Sequence, residues 1–161
     1  FSGCPTVSIP GRTHPVKEHR LEDILSITGY EVKEGSDYAQ KKSRNKPPPI
    51  SKAALIKMYQ PKYDSKVIQS LAIVDENIIN YELISKLLDH IVVNEEPGAI
   101  LVFLPGIGEI TKTIEELYKS DLFSDPSKAI IYPLHSSLST AEQTAVFQVP
   151  PEGIRKVVVA T

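Results

Sequence analysis

At 161 residues, with 41% apolar and 24% charged residues, the chain has the length and composition of one soluble globular domain built on a single core. Its longest unbroken apolar run, Ala99–Leu104, is too short for a transmembrane helix, and a net charge of −2 excludes a globally basic nucleic-acid binder while leaving room for local patches. The lone cysteine, Cys4, excludes an internal disulfide framework and fits a reducing compartment, and no secretory signal pattern is visible at the start.

The opening Cys4-Pro5-Thr6-Val7-Ser8-Ile9-Pro10-Gly11 reads as a short extended segment closed by a Pro-Gly turn. A short helix begins at Leu21 and ends at Gly29. From Glu31 to Pro49 the composition shifts: Lys41, Lys42, Arg44 and Lys46 lead into Pro47-Pro48-Pro49. Three prolines oppose helix and central strand, so this stretch reads as a solvated linker or surface insertion, with contact to a polyanion as the alternative. Asp64 or Ser65 caps a helix through Val74. Asn80 to Val92 forms an amphipathic helix with the stripe Leu83, Ile84, Leu87, Leu88 and Ile91, which Pro97-Gly98 breaks.

The last third alternates strand and helix. Ala99–Leu104 is apolar at every position, as expected of a parallel strand covered on both faces. Ile110, Ile114 and Leu117 mark a helix over 109–119, and Ala129–Tyr132 is a second strand. Ser139 with Glu142 forms a capping box that opens a helix to Phe147, and Lys156–Ala160 is a third strand. Short connections between these elements predict an α/β fold with a parallel sheet flanked by helices. Its ligand edge lies at the strand carboxyl ends: Pro105-Gly106, Pro133 to Ser137, and Thr161. Beginning at Phe1 and stopping at Thr161, straight after the apolar run Val157–Ala160, the chain is expected to be a piece of a longer protein.

Gly106-Ile107-Gly108 between strand and helix invites a phosphate-loop reading, but Thr111 stands where the dinucleotide fingerprint needs a third glycine, and no Walker lysine follows. It is either a tight turn or a set of backbone N–H groups meeting a nucleic-acid phosphate. His14, His19, His90 and His135 are scattered, without zinc-ligand spacing. His135-Ser136-Ser137 lacks a nucleophile elbow, so Ser136 and Ser137 read as loop hydroxyls facing the ligand edge rather than as a hydrolase site. Phe147, just before Pro150-Pro151, reads from sequence as a core aromatic, with base stacking from an exposed position as the alternative.

The order Leu101-Val102-Phe103-Leu104-Pro105-Gly106, then Pro133-Leu134-His135-Ser136-Ser137-Leu138, then Phe147 with Pro150-Pro151, then Arg155–Thr161 resembles the second RecA-like domain of DEAH/RHA-type (DExH-box, superfamily 2) RNA helicases. Ile9–Val16 is similar to the crossover from the first RecA-like domain of that family, and the whole looks most like its translation-associated RHA branch. The resemblance implies an entry segment at 1–30, a Lys/Pro-rich insertion or linker at 31–62, and a RecA-like domain at 63–161 that breaks off within motif V. It implies that Gly106, at the end of motif IV, that Ser136 and Ser137, and that Thr161, as first threonine of motif V, contact the backbone of single-stranded RNA. Phe147 matches the aromatic that stacks on the adenine of ATP, which favours stacking over a core position.

By the same resemblance, ATP and Mg2+ are held mainly by a first RecA-like domain whose motifs this chain lacks. This chain carries no catalytic residue and is inactive alone. The implied partners are RNA, the other helicase domains of the parent, and ribonucleoprotein or ribosomal components, with no membrane and a cytoplasmic or nuclear location. Two other readings remain: a non-catalytic RecA-like interaction module, and an unrelated α/β domain binding a mononucleotide or small anion at Pro105–Gly108.

Overall fold

The computed structural model describes residues 14–41 and 50–161, together with Gly3 and Gly11. The readings of Cys4, of the rest of the opening stretch 4–10 and of 42–49 fall outside the described residues.

Local signals place most helices. Helix α1 (Leu21–Thr28) ends where Gly29 adopts φ 64°, a left-handed conformation that glycine takes without strain. Helix α2 (Lys52–Tyr59) had no counterpart in the sequence reading. The Ser51 hydroxyl accepts from the Ala54 N–H to cap it, and Leu55 anchors it at 4% exposure. Helix α3 (Ser65–Ile73) starts at Asp64, whose carboxylate accepts from the Lys66 and Val67 N–H groups, and α4 (Tyr81–Asn94) starts at Asn80. Residues 31–41 form no helix or strand and are mostly exposed, as a surface loop requires, but the segment is anchored at two points. Val32 and Ala39 are buried, the Val32 N–H donates to the Ser70 hydroxyl at 3.1 Å, and Ala39 pairs antiparallel with Val74.

Strands β1 (Ile100–Phe103), β2 (Ala129–Leu134) and β3 (Arg155–Ala160) form a parallel sheet in the order β1-β3-β2. Two helices complete the predicted alternation: α5 (Ile107–Leu117) between β1 and β2, and α6 (Thr140–Ala145) between β2 and β3. One sheet face is closed by α4 and α5, where Leu88, Ile110, Leu117 and Phe123 pack on Val157 and Val159. On the other face Val146, just after α6, packs on Val158 and Ala160 beside Tyr132 and Leu134. Helix α4 also sends Leu83 into a second cluster with Leu25, Tyr63 and Val67, so it joins the N-terminal helices to the sheet. The predicted α/β class holds.

One expectation is corrected. Strand β1 is covered on one face, not two: Leu101 and Phe103 are 60% and 73% exposed. The register sets Leu101 opposite Val158 and Phe103 opposite Ala160, on the side of the sheet that carries α6. That helix has six residues and its end packs on β3 beside β2, leaving the outer half of β1 open. Strand β2 is the opposite edge, which is why Pro133 is tolerated within it.

Candidate nucleotide and nucleic-acid surfaces

Because β3 lies between β1 and β2, the ends of all three strands fall side by side. The Leu104 N–H donates to the Ala160 carbonyl at 2.8 Å, and the Thr161 N–H donates to the Leu134 carbonyl at 3.2 Å. These bonds carry the ladder one step past the strands and set Thr161 between the Gly106 turn and the Ser136-Ser137 turn. Four of the five predicted site residues therefore share one edge of the sheet.

The serine turn is held from two sides. The Leu138 N–H donates to the His135 carbonyl at 3.2 Å, and the Gln143 side chain on α6 donates to the Leu138 carbonyl at 2.9 Å. Ser136 and Ser137 are both exposed, and their hydroxyls have no partner among the described residues. Neither serine is hydrogen-bonded to His135, whose buried Nδ1 is itself unpartnered, so no nucleophile–base pair exists here. The predicted capping box forms: the Ser139 hydroxyl and N–H both donate to the Glu142 carboxylate, at 2.6 and 2.9 Å. Those two bonds, the hydroxyl's first, hold the Glu142 carboxyl below the usual carboxylate range.

At the neighbouring turn, α5 begins two residues earlier than the sequence suggested, so Gly108 lies inside the helix. Gly106 has φ −167°, extended backbone open to any residue, and a Cβ there would meet the Glu109 carboxylate at 3.0 Å. The first-turn N–H groups of α5 thus have a carboxylate beside them. A phosphate meeting these groups, whether a small free anion or part of an RNA backbone, would have to displace it.

Phe147 does not join this row. It follows α6 with its N–H bonded to the Thr144 carbonyl at 3.0 Å, and its ring is 81% exposed, so the core position suggested by sequence alone is not the one it takes. The next residue, Gln148, accepts a 2.8 Å hydrogen bond at its carbonyl from the Lys156 ammonium. Lys156 stands five residues before Thr161 on β3, roughly 16 Å of extended strand. The predicted residues therefore occupy two places: an edge row of backbone and hydroxyl groups, and an exposed ring toward the amino end of β3. Lys156 was missed because its partner lies in a loop eight residues away, a contact no periodicity encodes.

Along its whole length the chain aligns with the human putative ATP-dependent RNA helicase DHX57 at 33% identity and with the rat ATP-dependent DNA/RNA helicase DHX36 at 37%. By sequence, the chain belongs to the DExH-box helicases. It spans 15% of the first of these DExH-box relatives and 17% of the second. The solved structure of the Escherichia coli DExH-box NTPase HrpB is 29% identical, covers 54% of this DExH-box chain and 10% of its own, and superposes at a TM-score of 0.44. No protein-family profile matches the chain.

Among the described residues, no group of three or more His, Cys, Asp or Glu side chains comes together to hold a metal. No described helix is long and apolar enough to cross a membrane.

Proposed function

We propose that this chain is the second motor domain of an ATP-dependent RNA helicase, within a longer protein that supplies the first RecA-like domain. The observation that carries the reading is the strand order β1-β3-β2, which gathers Gly106, Ser136, Ser137 and Thr161 on one edge. Backbone N–H groups and small hydroxyls contact phosphate and sugar, not base edges, so the row fits single-stranded RNA gripped without regard to sequence. Phe147, with a free aromatic face, fits the adenine of ATP. The resemblance assigns Mg2+ and the nucleotide phosphates to the first RecA-like domain, so no step is routed through them here. What this chain contributes is binding and orientation: it closes on the nucleotide from one side and holds RNA on its sheet edge. The reading carries with it a cytoplasmic or nuclear setting.

The test is ATP turnover by the full-length protein with and without single-stranded RNA, beside the 161-residue chain. RNA-stimulated turnover by the former and none by the latter is expected. Absence of turnover in both conditions would favour a non-catalytic interaction module instead.

A further inference from the structure

Phe147 has little around it to hold its ring. It is 81% exposed, it sits at the end of a six-residue helix, and it is followed by Gln148-Val149 and then two prolines with no N–H to donate. A ring so placed samples several rotamers, and ordering it on binding costs affinity. One side chain from the sheet opposes that freedom. Lys156, half-buried on β3, donates from its ammonium to the Gln148 carbonyl at 2.8 Å, and the same Nζ lies 5.6 Å from the centroid of the Tyr132 ring on β2. The register puts Lys156 opposite Ile130 and Val158 opposite Tyr132, so ammonium and ring share one sheet face. Tyr132 borders the cluster of Val146, Val158 and Ala160 into which the end of α6 is packed. A continuous line of contacts therefore runs from the sheet through Lys156 to the peptide next to Phe147.

We propose that Lys156 is a positioning residue for Phe147: it pins the Phe147–Gln148 turn to the sheet so that the ring is presented to a nucleobase already ordered. This rests on the reading of Phe147 as the base-stacking residue. Lys156 itself touches no nucleotide; it acts through the Gln148 carbonyl. A charged donor suits the task because its hydrogen bond to a carbonyl is stronger than a neutral one. Arginine can replace that donor, whereas methionine keeps the stem and loses the bond.

The experiment measures KM for ATP, kcat and single-stranded RNA affinity in the full-length protein for Lys156→Met, Lys156→Arg, Phe147→Ala and the double variant Phe147→Ala with Lys156→Met. Lys156→Met is expected to raise KM roughly 3- to 10-fold while kcat and RNA affinity hold within about twofold, and Lys156→Arg to stay near the parent. In the Phe147→Ala background, Lys156→Met should add nothing. A full effect of Lys156→Met in that background overturns the inference, as does a joint loss of ATP and RNA affinity, the mark of a purely structural role. If Phe147→Ala raises KM and Lys156→Met leaves it unchanged, this inference alone fails. If Phe147→Ala leaves KM unchanged, the stacking reading fails and takes this inference with it.

Discussion

Arg155 is a buried charge that ties the sheet to α4. It is 8% exposed, and its guanidinium donates to three carbonyls at the end of α4: Ile91 at 3.0 Å, Glu95 at 3.2 Å and Glu96 at 2.7 Å. The Ile91 carbonyl already accepts from the Glu95 N–H at 3.0 Å, while the Glu95 and Glu96 carbonyls lie past the last helical bond, and a cation at a helix C-terminus also meets the favourable end of the dipole. Arg155→Met should cost about 2–4 kcal/mol, because the Glu95 and Glu96 carbonyls lose their donor, with the loss read from the urea midpoint. Tyr30 supplies a pH signature. Its phenol donates to Glu82 at 2.8 Å, and burial first, with the Glu82 carboxylate adding, pushes its pKa from 10.0 up to about 12 against the opposing Asn80 amide. The folded state therefore holds this proton more tightly than the unfolded chain does. Its contribution is complete below pH 10 and is lost as pH rises through about 12. Tyr30→Phe should flatten the fall of stability in that window, as followed by urea unfolding at stepped pH.

Among the elements, α6 is the one most dependent on its cap, since six residues are too few for a helix to persist alone. Ser139→Ala should cost about 1 kcal/mol and appear first as faster amide exchange across residues 140–147, with the sheet still protected. Equal loss of protection across β1 to β3 would show that α6 does not open separately. The Ser139–Glu142 box was legible in the sequence because capping is a local matter, and the same holds for Asp64, Asn80 and the left-handed Gly29. Helix α2 was not, although Ser51 followed by Ala53-Ala54-Leu55 carries a cap and good helix formers. The nearby lysines and prolines pulled that stretch toward a linker reading. The open face of β1 was illegible for a different reason: six apolar residues in a row do not say how many layers will cover them, and here a short helix leaves Leu101 and Phe103 bare.

At the scale of the molecule, the order of motif-like segments could be read from sequence, but their separation in space could not. The chain lists Gly106, Ser136, Ser137, Phe147 and Thr161 in one line. The fold sorts them by the direction of α6, which starts beside the serine turn at the carboxyl edge and returns to leave Phe147 next to the residue that Lys156 holds. In the proposed reading, strand β3 thus leads to an RNA contact just past one end, at Thr161, and carries the support of a nucleotide contact toward the other. The central claim is that these are two surfaces for two ligands. The measurement that tests it most directly is a crossed titration of ATP and single-stranded RNA in the full-length protein, comparing Phe147→Ala with Ser136→Glu. Phe147→Ala should weaken ATP binding by about 1–3 kcal/mol, the loss of one stacked base, and leave RNA affinity in place. Ser136→Glu, placing a negative charge beside a phosphate, should do the reverse. Losses of both affinities in both variants, or of neither, would contradict the account.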